Sequence, residues 1–335
     1  MTYQPTHDDH QATLHLTCWG VRGSYPTPGP ATVGIGGNTA CIEIRANGHT
    51  IILDAGTGII GLGRDLLRRA REHGGDIEAT ILFSHYHHDH TQGLPFFAPA
   101  YVPSTQLHIF GPGCYAEPAE DVLARNQAPT VFPVSFYDMR AEKNVQSLQD
   151  GDTILITHGM GSIVLPAGID DYPGDLPPDA VMITTHRSYA HPGGTLMYRI
   201  EYAGQTVVYA TDTEGYIGTD RRLVEFARGA DLLIHDAQFT EEHYYGRDPR
   251  LSSTQGHGHS TPRMACEVAQ AAGADRLVLF HHDPGYDDTT IRGMEEHARQ
   301  VFPNVIAAYE GLHIELGHDE RDRETAFGEP NQSFA

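Results

Sequence analysis

His85-Tyr86-His87-His88-Asp89-His90 follows the apolar stretch that runs from Ala79 to Phe83, and this junction decides how the chain is read. Residues two apart share a face of an extended chain, so His85 and His87 can point at one ion from the strand end. The turn after them lets Asp89 and His90 reach a second ion nearby. These donors are too crowded for one closed tetrahedron and include no cysteine, which excludes a structural zinc finger. Two ions need more ligands, and they stand beside other expected strands. His191, in Ala190-His191-Pro192-Gly193-Gly194, precedes a strand at 195–202, Asp212 follows one at 207–210, and His281 follows one at 276–280. His282 is the weaker alternative to His281, since periodicity alone cannot choose between neighbours.

Composition agrees with metal chemistry. Histidine supplies 22 of the 335 residues, as many as lysine and arginine together. The four cysteines, Cys18, Cys41, Cys114 and Cys266, are far apart and form no Cys-x-x-Cys pair, so they read as reduced core residues. With 44 acidic against 22 basic side chains the formal charge is −22, which would repel a long polyanion or an anionic membrane overall. The chain is 39% hydrophobic and 20% charged, enough for a buried core. No apolar run approaches the ~20 residues that a bilayer span requires. Residues 1–12 lack the basic-then-apolar order of a signal peptide, so a cytoplasmic location is expected.

Strands rich in β-branched residues are expected at 13–19, 39–45, 50–54, 79–83, 106–110, 153–157, 181–185, 195–202, 206–210, 231–235, 276–280 and 304–308. Helices are expected at 60–73, 116–127, 220–229, 262–272 and 289–300; Thr261, Pro262 and Gly273 punctuate the fourth. Strand runs separated by single helices favour two sheets packed face to face under helices. One domain is expected over 13–318, between an N-terminal extension (1–12) and a flexible tail (319–335). The stretch 158–180, rich in Gly and Pro, reads as a long irregular loop at the pocket mouth.

With Trp19-Gly20-Val21-Arg22-Gly23-Ser24 and Pro26, Gly36-Gly37-Asn38-Thr39 and Leu53-Asp54-Ala55-Gly56, these motifs make the chain resemble the metallo-β-lactamase-fold hydrolases over about 13–316. It is most similar to the phosphodiesterase-type branch, which includes ribonuclease Z and cyclic-phosphodiester hydrolases. The resemblance implies an αββα sandwich with a dinuclear site at one edge of the sheets. The ions would be divalent, zinc first, with manganese or iron as alternatives. Carried over by position, His85, His87 and His191 would hold one ion, Asp89, His90 and His281 the other, and Asp212 would bridge.

The same resemblance makes His259, in Gly258-His259-Ser260-Thr261 just before a helix, a general acid; the helix N-terminus favours a phosphate nearby. Two ions sharing a hydroxide suit in-line attack on a phosphodiester, with Asp89 orienting the hydroxide and His259 protonating the leaving alkoxide. Arg22 and Asn38 lie in loops that the resemblance brings near the site and are candidates for substrate phosphate. Asp54 is a candidate partner for a ligand histidine. Between Asp212 and His259 there is no room for the projecting arm with which long-armed ribonuclease Z grips tRNA. That and the negative charge lead to the expectation of a small anionic or cyclic phosphodiester in preference to long nucleic acid, with no membrane partner; a homodimer is compatible. The alternatives are a thioester, lactone or β-lactam hydrolase on the same fold, and a non-catalytic metal-binding sensory module.

Overall fold

The computed structural model describes residues 13–113, 117–157, 161–168, 177, 180–215, 218–247 and 249–317. The expectations for 1–12 and 319–335 lie outside them. The first half builds β1 (Leu14–Gly20), β2 (Cys41–Ala46), β3 (His49–Leu53), α1 (Gly58–His73), β4 (Glu78–Leu82), α2 (His88–Thr91), β5 (Gln106–Pro112), α3 (Ala119–Asn126) and β6 (Glu142–Leu148). There follow β7 (Thr153–Thr157), β8 (Gly161–Leu165), β9 (Val181–Ser188), β10 (Thr195–Tyr202), β11 (Gln205–Ala210), α4 (Arg221–Phe226) and β12 (Leu232–Asp236). The chain then forms α5 (Glu241–Tyr244), α6 (Pro262–Ala272), β13 (Leu277–Phe280), α7 (Asp288–Arg299), β14 (Val305–Ala307) and β15 (His313–Leu316).

Two mixed sheets result, with strand orders β15-β1-β2-β3-β4-β5-β6 and β14-β13-β12-β11-β10-β9-β7-β8. Strands β3 to β6 run parallel in one sheet, and β11 to β14 in the other. Central members such as β12 and β13 are buried at every residue, as parallel strands covered on both faces must be. The inner core joins Leu16, Ile42, Ile44 and Leu53 of the first sheet to Ile183, Ile200, Val207 and Ile234 of the second. A second apolar layer seals Ile52, Ile81 and Ile109 under Ile59, Leu62 and Leu66 of α1. A third seals Leu233, Leu277 and Leu279 under Ala265, Val268 and Ala269 of α6. The order is therefore helix, sheet, sheet, helix: the expected αββα sandwich.

Helix α6 ends where its sequence indicates, with the Thr261 hydroxyl accepting from the Met264 amide and Gly273 at φ 65° closing the C-terminus. Three strands were not expected, β6, β8 and β15, and all three are sheet edges. An edge strand has one neighbour and a wetter face, so its sequence can lack a long apolar run, as in β6 and β15, or carry only a short one, as in β8. β8 also corrects the reading of 158–180 as one irregular loop: 161–165 pair with β7, while most of the remainder lies outside the described residues. Cys18, Cys41 and Cys266 are buried free thiols, as expected; Cys114 is not described.

Candidate metal centre

In open α/β sheets, groups that follow the carboxyl ends of parallel strands converge on a common crevice. Here Asp54 follows β3, Ser84 and His85 follow β4, Asp212 follows β11, Asp236 closes β12, and His281 follows β13. The backbone is bent to deliver them. Asp54, Asp212 and His281 have φ of 60°, 51° and 64°, in the left-handed region. For non-glycine residues that costs about 1–3 kcal/mol each, a strain that collects at functional sites.

Two donor groups form. Ligand atoms of His85, His87 and His191 lie within 4.8 Å of one another, and so do those of Asp89, His90, Asp212 and His281. Asp212 faces both groups. Its Oδ1 is 3.3 Å from Nε2 of both His90 and His281, while its Oδ2 is 3.6 Å from His85 Nε2 and 3.9 Å from His191 Nε2. Asp89 Oδ2 is 3.1 Å from His281 Nε2 and also accepts the Ser24 amide at 2.6 Å. In a pair of neighbours at a strand end one side chain must turn away: His282 donates Nε2–H to the Ala308 carbonyl, 2.9 Å away, so the site receives His281.

The far ring nitrogens are engaged, which fixes the tautomers. His90 Nδ1–H donates to Asp54 Oδ2 at 2.8 Å, and His191 Nδ1–H to the Gly258 carbonyl at 3.1 Å. The Ser84 hydroxyl donates to Asp54, leaving its oxygen to accept from His85 Nδ1 at 3.0 Å. Each ring then turns an Nε2 lone pair inward. Burial holds His85 well below the ordinary histidine range, and it lowers His87 and His191 as well. Burial acts against charge on His90 too, but Asp212, Asp89 and Asp54 raise it. His85 Nε2 is buried without a hydrogen-bond partner. An unpartnered imidazole lone pair among carboxylates is a donor set suited to divalent cations of the zinc, manganese or iron kind. Close packing matters: a Cβ on Gly23 would lie 2.4 Å from the His281 ring, and one on Gly258 2.5 Å from His191 Nδ1.

His259 stands beside both groups, its ring stacked on His281 with centroids 4.9 Å apart. Its Nδ1–H donates to Asp236 Oδ2 at 2.6 Å, and Asp236 Oδ1 accepts the Ser260 amide at 2.9 Å. Burial alone would depress His259, yet the charge and hydrogen bond of Asp236 outweigh it and raise the ring to about 9. Asp236 escaped the sequence reading, although an acid closing the apolar run Leu232-Leu233-Ile234 is the signal that Asp54 also carries. A cavity of about 390 Å³ opens over these groups, lined by His87, Asp89, His191, Asp212 and His259 together with Ser24, Tyr86, His88 and Asn126.

Two candidates do not join them. Arg22 is fully buried; its guanidinium donates to the carbonyls of Gly36 (2.8 Å), Asp283 (3.1 Å) and Tyr286 (2.7 Å). It clamps the loop that carries Gly23 and Ser24, so its assignment to substrate is corrected. Asn38 is bound through its amide and side chain to the Glu310 carboxylate, at 2.6 and 3.0 Å, and is corrected likewise.

Residues 49–282 match the family described as beta-lactamase superfamily domain. The ribonuclease Z of Gemmatimonas aurantiaca is 27% identical over 314 residues, covering 85% of this chain and 93% of the relative. That of Thermoplasma acidophilum is 24% identical over 338 residues, covering 91% and 97%. Among solved structures, the metallo-β-lactamase fold protein YhfI from Bacillus subtilis has a TM-score of 0.60 at 20% identity, covering 91% of this chain and all of that one. These relatives overturn the expectation against long nucleic acid: proteins named as ribonucleases match nearly the whole chain. Net charge is a sum over the molecule, whereas a polyanion is met by the local field of one pocket. No helix among the described residues is long and apolar enough to cross a membrane. The chain belongs to the beta-lactamase superfamily, and is a metal-dependent hydrolase of that family.

Proposed function

We propose that the protein hydrolyses phosphodiesters with two divalent ions, zinc first. His85, His87 and His191 would hold one and Asp89, His90 and His281 the other, with Asp212, which faces both groups, serving both. Ions so held would acidify a water and draw charge from a phosphoryl oxygen. The chain's own residues supply the rest. Asp54 and Ser84 orient His90 and His85; Ser24 positions Asp89 through its amide. His259, its Nδ1–H held by Asp236, keeps Nε2 for a proton delivered to the departing oxygen.

The observation that carries this reading is the His259–Asp236 pair beside the two donor groups. A proton donor raised to about 9 is of use where the leaving group is a poorly stabilised alkoxide, as in a diester of sugar hydroxyls. The cavity of about 390 Å³ has the size of one phosphate with a nucleoside-sized substituent. That describes a small or cyclic diester, and also a single linkage in an RNA, which the names of the relatives bring into range. The test is a panel on metal-loaded protein: a bis-aryl phosphate, a cyclic nucleotide, precursor tRNA, a thioester and a lactone. Turnover of diesters with the thioester and lactone at background is expected; turnover confined to thioester or lactone overturns the proposal.

A further inference from the structure

Beside the metal pocket, and sharing His191 with it, lies a second trough of about 640 Å³. Its floor is backbone, with Gly113, Gly193, Gly194 and Gly256 contributing no side chain. Two side chains stand out. Tyr189, on the turn between β9 and β10, is 74% exposed, a large aromatic surface left open to water. Its ring leans on Gly194, where an added Cβ would lie 3.1 Å from a ring carbon. Arg187, at the end of β9, holds its guanidinium 5.9 Å from the centre of that ring. One Nη donates to the Gly113 carbonyl at 3.2 Å, while the Nε is buried without a partner.

The acid in the trough is already satisfied. Glu214 accepts from the Tyr244 hydroxyl (2.6 Å) and from the amides of Gly256 (2.7 Å) and Gly258 (3.0 Å). It acts as a wall, tied through Gly258 to His191. An open aromatic face takes a nucleobase by stacking irrespective of its sequence, and a guanidinium N–H suits a phosphate oxygen.

We propose that this trough is a nucleotide subsite, in which a base stacks on Tyr189 and Arg187 donates to the phosphate neighbouring the scissile one. The proposal rests on the phosphodiesterase reading and narrows it to nucleotide diesters, with one nucleoside gripped beside the metals.

Two variants and two readouts test it. In Tyr189→Ala the ratio of kcat/KM for a dinucleotide to that for bis(p-nitrophenyl) phosphate, which has no base, falls about tenfold. In Arg187→Gln the preference for a 5′-phosphorylated dinucleotide over its unphosphorylated form is lost. Equilibrium dialysis with adenosine 5′-monophosphate on metal-loaded protein is independent of turnover, and its Kd rises about tenfold in Tyr189→Ala. If bis(p-nitrophenyl) phosphate is cleaved and none of these quantities moves, the subsite is refuted and the phosphodiesterase reading stands. If no diester is cleaved but adenosine monophosphate binding weakens, that reading fails and the subsite stands.

Discussion

Asp236 Oδ2 lies 2.6 Å from Nδ1 of His259, and this contact sets the charge of a ring stacked on His281. Because the ring is raised to about 9, the donor form is present below that pH and is lost as pH rises through it. In Asp236→Asn the charge and hydrogen bond that do most to raise the ring go, and burial is opposed only by the lesser influence of Asp212 and Asp89, so the ring is lowered. The alkaline limb of kcat/KM on a phosphodiester therefore moves to lower pH in that variant. An unshifted limb with reduced kcat would assign Asp236 to packing alone.

Removal of donors should separate binding from chemistry. His87→Ala takes one nitrogen from the His85, His87, His191 group, and Asp212→Ala takes an oxygen from each group. Elemental analysis after dialysis is expected to show metal lost in both, more completely for Asp212→Ala. His259→Ala should keep its metal and lose activity by about 100-fold or more, the usual range for acid–base catalysis. Full metal content in Asp212→Ala would remove its bridging role.

How far the sequence could be read depends on where a residue's partners lie. The six-residue motif and the positions of His191, Asp212 and His281 beside expected strands are local features, so the side chains that the structure gathers into two donor groups could be picked out. The central strands were legible because burial on both faces leaves an apolar run; the edges β6 and β15 leave none, and β8 has only the short run Ile163-Val164-Leu165. His259 could be named, but its partner Asp236 closes a strand 23 residues earlier, and nothing in the spacing links them. Arg22 shows the converse: an arginine in a loop near the site has a sequence consistent with phosphate binding, and only its three carbonyl partners reveal a clamp.

That clamp makes a stability prediction. Hydrogen bonds from a charged group are worth about 1.5–3 kcal/mol each, less when the donors share one guanidinium, so Arg22→Met should cost about 2–4 kcal/mol in urea unfolding. A KM for diester raised tenfold with unchanged stability would return Arg22 to the substrate.

His282 bears on acid stability. Burial, aided by the charge of Arg22, lowers it to about 3, so the folded protein keeps it neutral where the unfolded chain, near 6.5, binds a proton. Its contribution is complete above 6.5 and is lost as pH falls from there toward 3. In that window the slope is on the order of 1.4 kcal/mol per pH unit. His282→Gln should flatten this part of the unfolding curve in metal-free protein, measured between pH 7 and 4. An identical slope in both proteins would contradict the assignment.

The central claim, that His259 delivers the proton to the leaving oxygen of a phosphodiester, is tested most directly by varying the leaving group in His259→Ala. A nitrophenolate departs without a proton, whereas a sugar alkoxide needs one. The account predicts a loss of about 100-fold or more in kcat for a diester with an alkoxide leaving group and a much smaller loss for bis(p-nitrophenyl) phosphate. Equal losses on both substrates, or none on either, would contradict it.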